Sequence, residues 1–205
     1  LTDLHARLRG SFLSRGGKIS HSRLRIEEAE RAGDVVVVAA GIGSATLLSA
    51  VGHTVPMIAE RGYHIDQAGA DWPGDIPPIL FEDRSVVVTR FRSGLRATSF
   101  TEFSSENAPP DARKWGRLRQ HARELALPFD HRATEWMGSR PTLPDYLPAI
   151  GRSQRRPAVL YAFGHQHLGL TLAAITGELI AALVSGDPLL VNLARFGIDR
   201  FTRRG

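Results

Sequence analysis

Leu1, Leu4, Leu8 and Phe12 recur at helical spacing, which predicts a helix over residues 1–13, closed by Gly16-Gly17. Residues 18–27 read as a strand. Val35, Val36, Val37, Val38 and Ala39 form an uninterrupted, largely β-branched run. That is the pattern of a strand buried on both faces and paired in parallel. Residues 44–50 predict a short helix. Residues 62–66, 79–82, 85–90 and 95–103 read as strands of an antiparallel meander, with turns at Asp83-Arg84 and Ser93-Gly94. Trp115, Leu118, Ala122 and Leu125 share one face of a helix over 111–125. The short apolar run 158–163 reads as a buried strand. A longer one, 170–184, reads as a helix stopped by Ser185-Gly186-Asp187-Pro188. The residues beyond form a tail or a short helix.

Parallel-type pieces at both ends thus flank an antiparallel sheet. The order predicts an α/β (α+β) fold, in which a nucleotide-binding layer is completed by the end of the chain and a substrate sheet is inserted between. Composition adds little. Of 205 residues, 42% are hydrophobic and 23% charged, ordinary values for a chain with a buried core. The net charge of +5 comes from dispersed arginines, among them Arg7, Arg90, Arg117, Arg152 and Arg203. No basic tract alternates with aromatics. This argues against nucleic acid and for anionic substrates or an acidic partner. Cysteine is absent, which removes disulfides and thiolate chemistry. No signal-peptide pattern is present. The apolar run 170–184 is short of the about 20 residues a bilayer needs, and Gly177 and Glu178 interrupt it.

Candidate chemistry concentrates in Gly164-His165-Gln166-His167-Leu168-Gly169-Leu170-Thr171-Leu172-Ala173. A strand, a glycine-bracketed turn and a helix aim free backbone N–H groups and a positive helix end at one point. Such a point suits an anion or a polarised carbonyl oxygen. His165 and His167 lie within the turn; two histidines with no third ligand nearby do not make a zinc site. Upstream, Ser139-Arg140-Pro141-Thr142-Leu143-Pro144-Asp145-Tyr146-Leu147-Pro148 has prolines that forbid a helix and predict a stiff extended loop. One arginine held by such a loop can present a guanidinium fork to a carboxylate.

These two motifs, in this order, resemble the C-terminal part of the glycine oxidase and D-amino-acid dehydrogenase family of FAD-dependent amine oxidoreductases. Val35-Val36-Val37-Val38-Ala39-Ala40-Gly41 and Glu60-Arg61-Gly62-Tyr63-His64 agree with it, so the likeness runs from about Gly33 to Gly186. The resemblance implies a C-terminal part of an FAD-binding Rossmann-like layer, residues 1–52 and 138–205, around an antiparallel substrate-binding sheet, residues 53–137. It implies FAD as cofactor, contacted by Ala40, Gly41, Gly164, His165, Gly169, Leu170 and Thr171. It makes Arg140 the carboxylate anchor, with Tyr63 and His167 as further substrate- or flavin-facing residues. For Tyr63 a packed sheet tyrosine, and for His167 a hydrogen-bonded turn histidine, are the structural alternatives.

Gly41-Ile42-Gly43-Ser44-Ala45-Thr46 nearly matches a dinucleotide fingerprint. The helix it opens is too short for a βαβ crossover, so an auxiliary FAD contact or a structural turn is favoured over an independent NAD site. The family's N-terminal GxGxxG turn is not found in these residues. The expected partners are therefore a missing N-terminal half, a partner subunit or a second copy, besides a small amino-acid substrate. The implied activity is oxidation of a D-amino acid or proline-like amine to an imine, in the cytoplasm or at the periphery of the inner membrane. A remnant or interaction subunit without an FAD site of its own is the alternative.

Overall fold

The computed structural model describes residues 2–23 and 25–202; Leu1 and Arg203, named above, and Leu24 of the expected 18–27 strand lie outside them. Helix α1 (Thr2–Ser14) forms as the spacing predicts, yet buries nothing: Leu4, Leu8 and Phe12 are all exposed. Residues 18–23 and 25 form no strand, against expectation, and helix α2 (Ile26–Ala32) begins within the predicted span. Glu27 and Glu28 in its first turn favour the positive helix end, and Glu28 accepts from the Arg25 N–H at 3.4 Å. Strand β1 (Val36–Val38) follows, then the Gly41–Gly43 turn and the six-residue helix α3 (Ser44–Ser49).

The antiparallel part comprises β2 (Ile58–Ala68), β3 (Ile79–Phe81), β4 (Val86–Phe91), β5 (Gly94–Ser104) and, after helix α4 (Ala112–Glu124), β6 (Thr134–Thr142). Their order is β3-β4-β5-β2-β6, so only β3, β4 and β5 form a meander and β2 is the central partner of β5 and β6. Helix α4 covers one face. Tyr63, Ile65, Val86, Val88, Leu95, Ala97, Leu118 and Ala122 form the core between them. The remaining elements are β7 (Ala149–Arg152), β8 (Val159–Phe163) and helix α5 (Ala173–Ser185).

Strand β8 pairs in parallel with β1, Val38 opposite Tyr161, and antiparallel with β7. This is the predicted return of the chain end to the first strand. One expectation about β1 fails. Helices α2 and α3 pack on the side of Val38, but Val37 is 42% exposed, so the strand is buried on one face only. Burial on both faces needs a layer on each side of the sheet, and no described element covers the Val37 side.

Candidate functional site

The two turns singled out in the sequence meet because β1 and β8 are parallel. Residues 39–43 leave the carboxyl end of β1, and residues 164–172 leave the carboxyl end of β8 beside it. In open α/β sheets ligands bind in the crevice outside these strand ends. The far end of β6, which carries Arg140, packs against both turns. The structure thus brings together Ala40, Gly41, the 164–171 turn and Arg140.

Arg140 corrects the loop expectation. The segment is extended, as its prolines require, but Gly138–Thr142 closes strand β6, with Arg140 opposite Glu60 and Pro141 opposite Ala59. Strand β6 is an edge strand, which tolerates a proline that lacks an N–H. It also carries the boundary drawn at 137/138 through the middle of one strand. The guanidinium lies against Gly62, where an added Cβ would stand 2.7 Å from Nη2. Glu60 is 3.7 Å from Nη1 and accepts a 2.9 Å hydrogen bond from Thr142. The arginine is therefore aimed by strand pairing, by a glycine that leaves it room, and by a buried carboxylate.

Tyr63 points the other way. Side chains alternate along β2, so Tyr63 shares the α4 face while Glu60, Gly62 and His64 share the face of Arg140. The Tyr63 ring is fully buried against Trp115. Its hydroxyl donates to Glu102 at 2.6 Å and accepts from the Asp111 N–H at 3.1 Å. It is a packed sheet tyrosine that fastens the start of α4, not a neighbour of Arg140.

In the 164–171 turn, Gly164 takes φ +79°, and a Cβ there would strike Leu143 at 2.6 Å. It is glycine for the fold as much as for any ligand. His165 is tied to Thr176 Oγ1 at 3.0 Å, and burial lowers its pKa below the usual imidazole value. It supports the turn. His167, Gly169, Leu170 and Thr171 are exposed. The N–H groups of Gly169, Leu170 and Thr171 have no acceptor among the described residues, and neither has the buried Gln166 side-chain N–H₂ group. Three consecutive free donors before a thirteen-residue helix are a ready acceptor-binding edge. Gly41 lies at φ +57° with open space around it, and Ala40 donates to Ser44 Oγ at 3.0 Å.

A cavity of about 680 Å³ opens at the bulge of β5, where Phe100 takes φ +61° and β4 no longer covers the strand beyond Thr98. Arg140, Thr98 and Thr101 line it from one side of the sheet; Ser99, Arg84, Arg117 and His121 line it as well. Sequence reasoning missed Glu60 and all the cavity residues except Arg140. Their convergence depends on register and on the bulge, which leave no signal in composition. It also missed His64, stacked on Trp136 at 4.6 Å and 3.2 Å from Asp66. Burial, then the nearby Arg96, lowers the His64 pKa against the opposing pull of Asp66.

The model of the FAD dependent oxidoreductase family (DAO) matches residues 5–183. The chain belongs to that family. It is 37% identical over 209 residues to a D-amino-acid oxidase of Bradyrhizobium diazoefficiens, covering 96% of this chain and 49% of the relative. A D-amino acid dehydrogenase of Paramagnetospirillum magneticum is 33% identical, with 81% of this chain and 40% of that protein covered. The chain spans about half the length of the curated relatives it matches. Among solved structures, glycine oxidase from Geobacillus kaustophilus superposes with a TM-score of 0.68 at 24% identity, over 82% of this chain and 46% of that one. This likeness bears on the fold, and it supports the expected Rossmann-like layer with an antiparallel sheet. FAD is the family's cofactor. The free donors of the 169–171 turn and the unpartnered Gln166 amide fit the polar edge of a flavin ring.

Proposed function

We propose that this chain is the substrate-binding part of an enzyme that oxidises a small amino acid, D-configured or proline-like, with FAD as the oxidant. The observation that carries the reading is Arg140: a guanidinium aimed by a strand and by Glu60, opening into a cavity large enough for an amino acid. In this reading the sheet of β2 to β6 binds substrate. The β1-β8-β7 sheet, within residues 1–52 and 138–205, is part of the FAD layer. When bound there, FAD supplies two-electron oxidation of the substrate's amine-bearing carbon. The residues of this chain bind and orient. Arg140 takes the carboxylate as a bidentate ion pair. The N–H groups of Gly169, Leu170 and Thr171 and the Ala40-Gly41 turn hold the cofactor, and His167 stands exposed at the same turn. No strong base is required of the protein, only a deprotonated substrate amine held in place.

The test is Arg140→Ala in the assembled, flavin-loaded protein. We expect kcat/KM for amino acids to fall by about 2–4 kcal/mol of transition-state binding, mostly through KM. Unchanged kcat/KM overturns the assignment. An interaction role without catalysis draws on the exposed Val37 beside the open edge of β1. Amino-acid-dependent reduction of an acceptor dye by the assembled protein excludes it.

A further inference from the structure

Arg140 and Glu60 stand opposite each other across the β2–β6 pair, yet no hydrogen bond joins them. Glu60 Oε1 is 3.7 Å from Nη1, beyond hydrogen-bond reach. Thr142 occupies only Oε2, at 2.9 Å. Among the described residues Oε1 accepts no hydrogen bond and the Arg140 guanidinium donates none. Glu60 is 8% exposed and Arg140 is half-buried. A nearly buried carboxylate with one free oxygen and a guanidinium with all its N–H groups free are both short of partners. Together their charges cancel. A simple carboxylate that docks on Arg140 brings its charge up to Glu60, and like charges set side by side repel. An amino acid in its zwitterionic form escapes this, because its ammonium sits on the carbon next to its carboxylate and can meet Oε1. The pair therefore matches the two charged ends of an α-amino acid better than it matches an acid.

We propose that Glu60 receives the substrate's ammonium group and takes its proton, which leaves the neutral amine that the oxidation requires. One N–H bond breaks and one O–H bond forms at Oε1, so an ammonium and a carboxylate become an amine and a carboxylic acid. The inference rests on Arg140 as the carboxylate anchor. Among the described residues the other charged or titratable groups set against Glu60 are few. Arg140 faces it from β6, and His64 shares its face two pairs along β2. Strand β5 offers Phe103 and Thr101 there, neither of them titratable. The 41–43 turn packed on β6 has no titratable side chain, and the 166–168 turn brings His167. Helix α4 lies on the opposite face of the sheet. Arg140 is thus the one fixed charge beside Glu60, and it keeps the carboxylate ionised until substrate arrives.

The test uses the assembled, flavin-loaded protein with D-alanine and propionate, which share a skeleton and differ by the amine. Glu60→Gln keeps the side chain's shape and an oxygen for Thr142 but removes the charge. It should raise KM for D-alanine at least about tenfold, the loss of one charge-assisted contact. Propionate should bind as well or better, its Kd read from the change in flavin absorbance. In the parent, kcat/KM should be nearly flat from about pH 7 to 9, and in Glu60→Gln it should climb about tenfold per pH unit, because only substrate already deprotonated in solution then reacts. Glu60→Asp, which restores the charge, should return the flat profile. A steep profile in the parent, or a flat one in Glu60→Gln, overturns the proposal. So does equal weakening of D-alanine and propionate by Glu60→Gln, which is the mark of a side chain that only aims Arg140. Failure of the anchor reading is separate: it is seen if Arg140→Ala leaves both KM for D-alanine and Kd for propionate unchanged.

Discussion

Alternation along β2 puts Tyr63 and the Arg140 guanidinium on opposite sides of one sheet, and this divides their roles. The Tyr63 hydroxyl bonds Glu102 and the Asp111 N–H, and Lys114 completes the group from 3.1 Å on Glu102. Asp111 caps α4 by accepting from the Arg113 N–H at 3.1 Å. Arg113 first, then the backbone bond and Lys114, hold the Asp111 carboxyl far below the usual range. Tyr63→Phe therefore removes one hydrogen bond from the seat of α4 and should cost about 1–2 kcal/mol of stability in urea unfolding. Carboxylate binding should not change. A variant as stable as the parent but weaker in carboxylate binding would return Tyr63 to the substrate side. The residue types in Gly62-Tyr63-His64 were legible as one strand. Their facing was not, because it depends on which neighbour pairs with β2 and on the bulge between Gly62 and Tyr63.

The elements were read best where the apolar pattern was long or bounded by glycine, as for β4, β5, β8 and α4. Misreadings came from local chemistry that pointed two ways. The prolines of residues 141–148 excluded a helix correctly. They did not reveal that an edge strand accepts Pro141 and carries Arg140 in register with Glu60. The acids at 27 and 28 suit the first turn of α2, which takes the end of the expected 18–27 strand. At residues 164–171 a turn was expected and a turn is found, and the structure separates its two glycines. Gly164 is packed on Leu143, whereas Gly169 has φ −54° and nothing nearer than His165 Cβ at 3.8 Å. A side chain at Gly169 therefore strains nothing in the chain itself. Gly169→Val should leave the thermal midpoint of this chain nearly unchanged and strip flavin from the assembled protein, because a β-branched group bars close approach to the free N–H groups. Full flavin occupancy in Gly169→Val would reduce the turn to a structural link.

At the scale of the whole molecule, two sheets share the chain, and helices cover one face of each: α4 on the five-stranded sheet, α2 and α3 on the Val38 side of the other. Among the described residues the outer edge of β1 has no strand partner, Val37 faces outward, and Leu168, Leu170, Val184 and Leu190 add further exposed apolar surface. Unpaired strand edges and apolar patches of this kind draw in another strand or another copy. The charge side of FAD meets the same gap. Its pyrophosphate normally rests on the N-terminus of a full helix after a glycine-rich turn. Among the described residues the Gly41–Gly43 turn leads only into the six residues of α3. Flavin-ring contacts at the 169–171 turn, as proposed, would leave that anionic group unmatched. The 205-residue chain by itself should therefore retain little FAD through gel filtration and should run above the 22.4 kDa of a monomer. Addition of a polypeptide that supplies a glycine-rich strand–turn–helix should restore both flavin retention and a defined mass. Flavin absorbance and light scattering on one sample decide the matter. A monodisperse monomer with stoichiometric FAD would mean that the Gly41–Gly43 turn, short helix and all, carries the pyrophosphate.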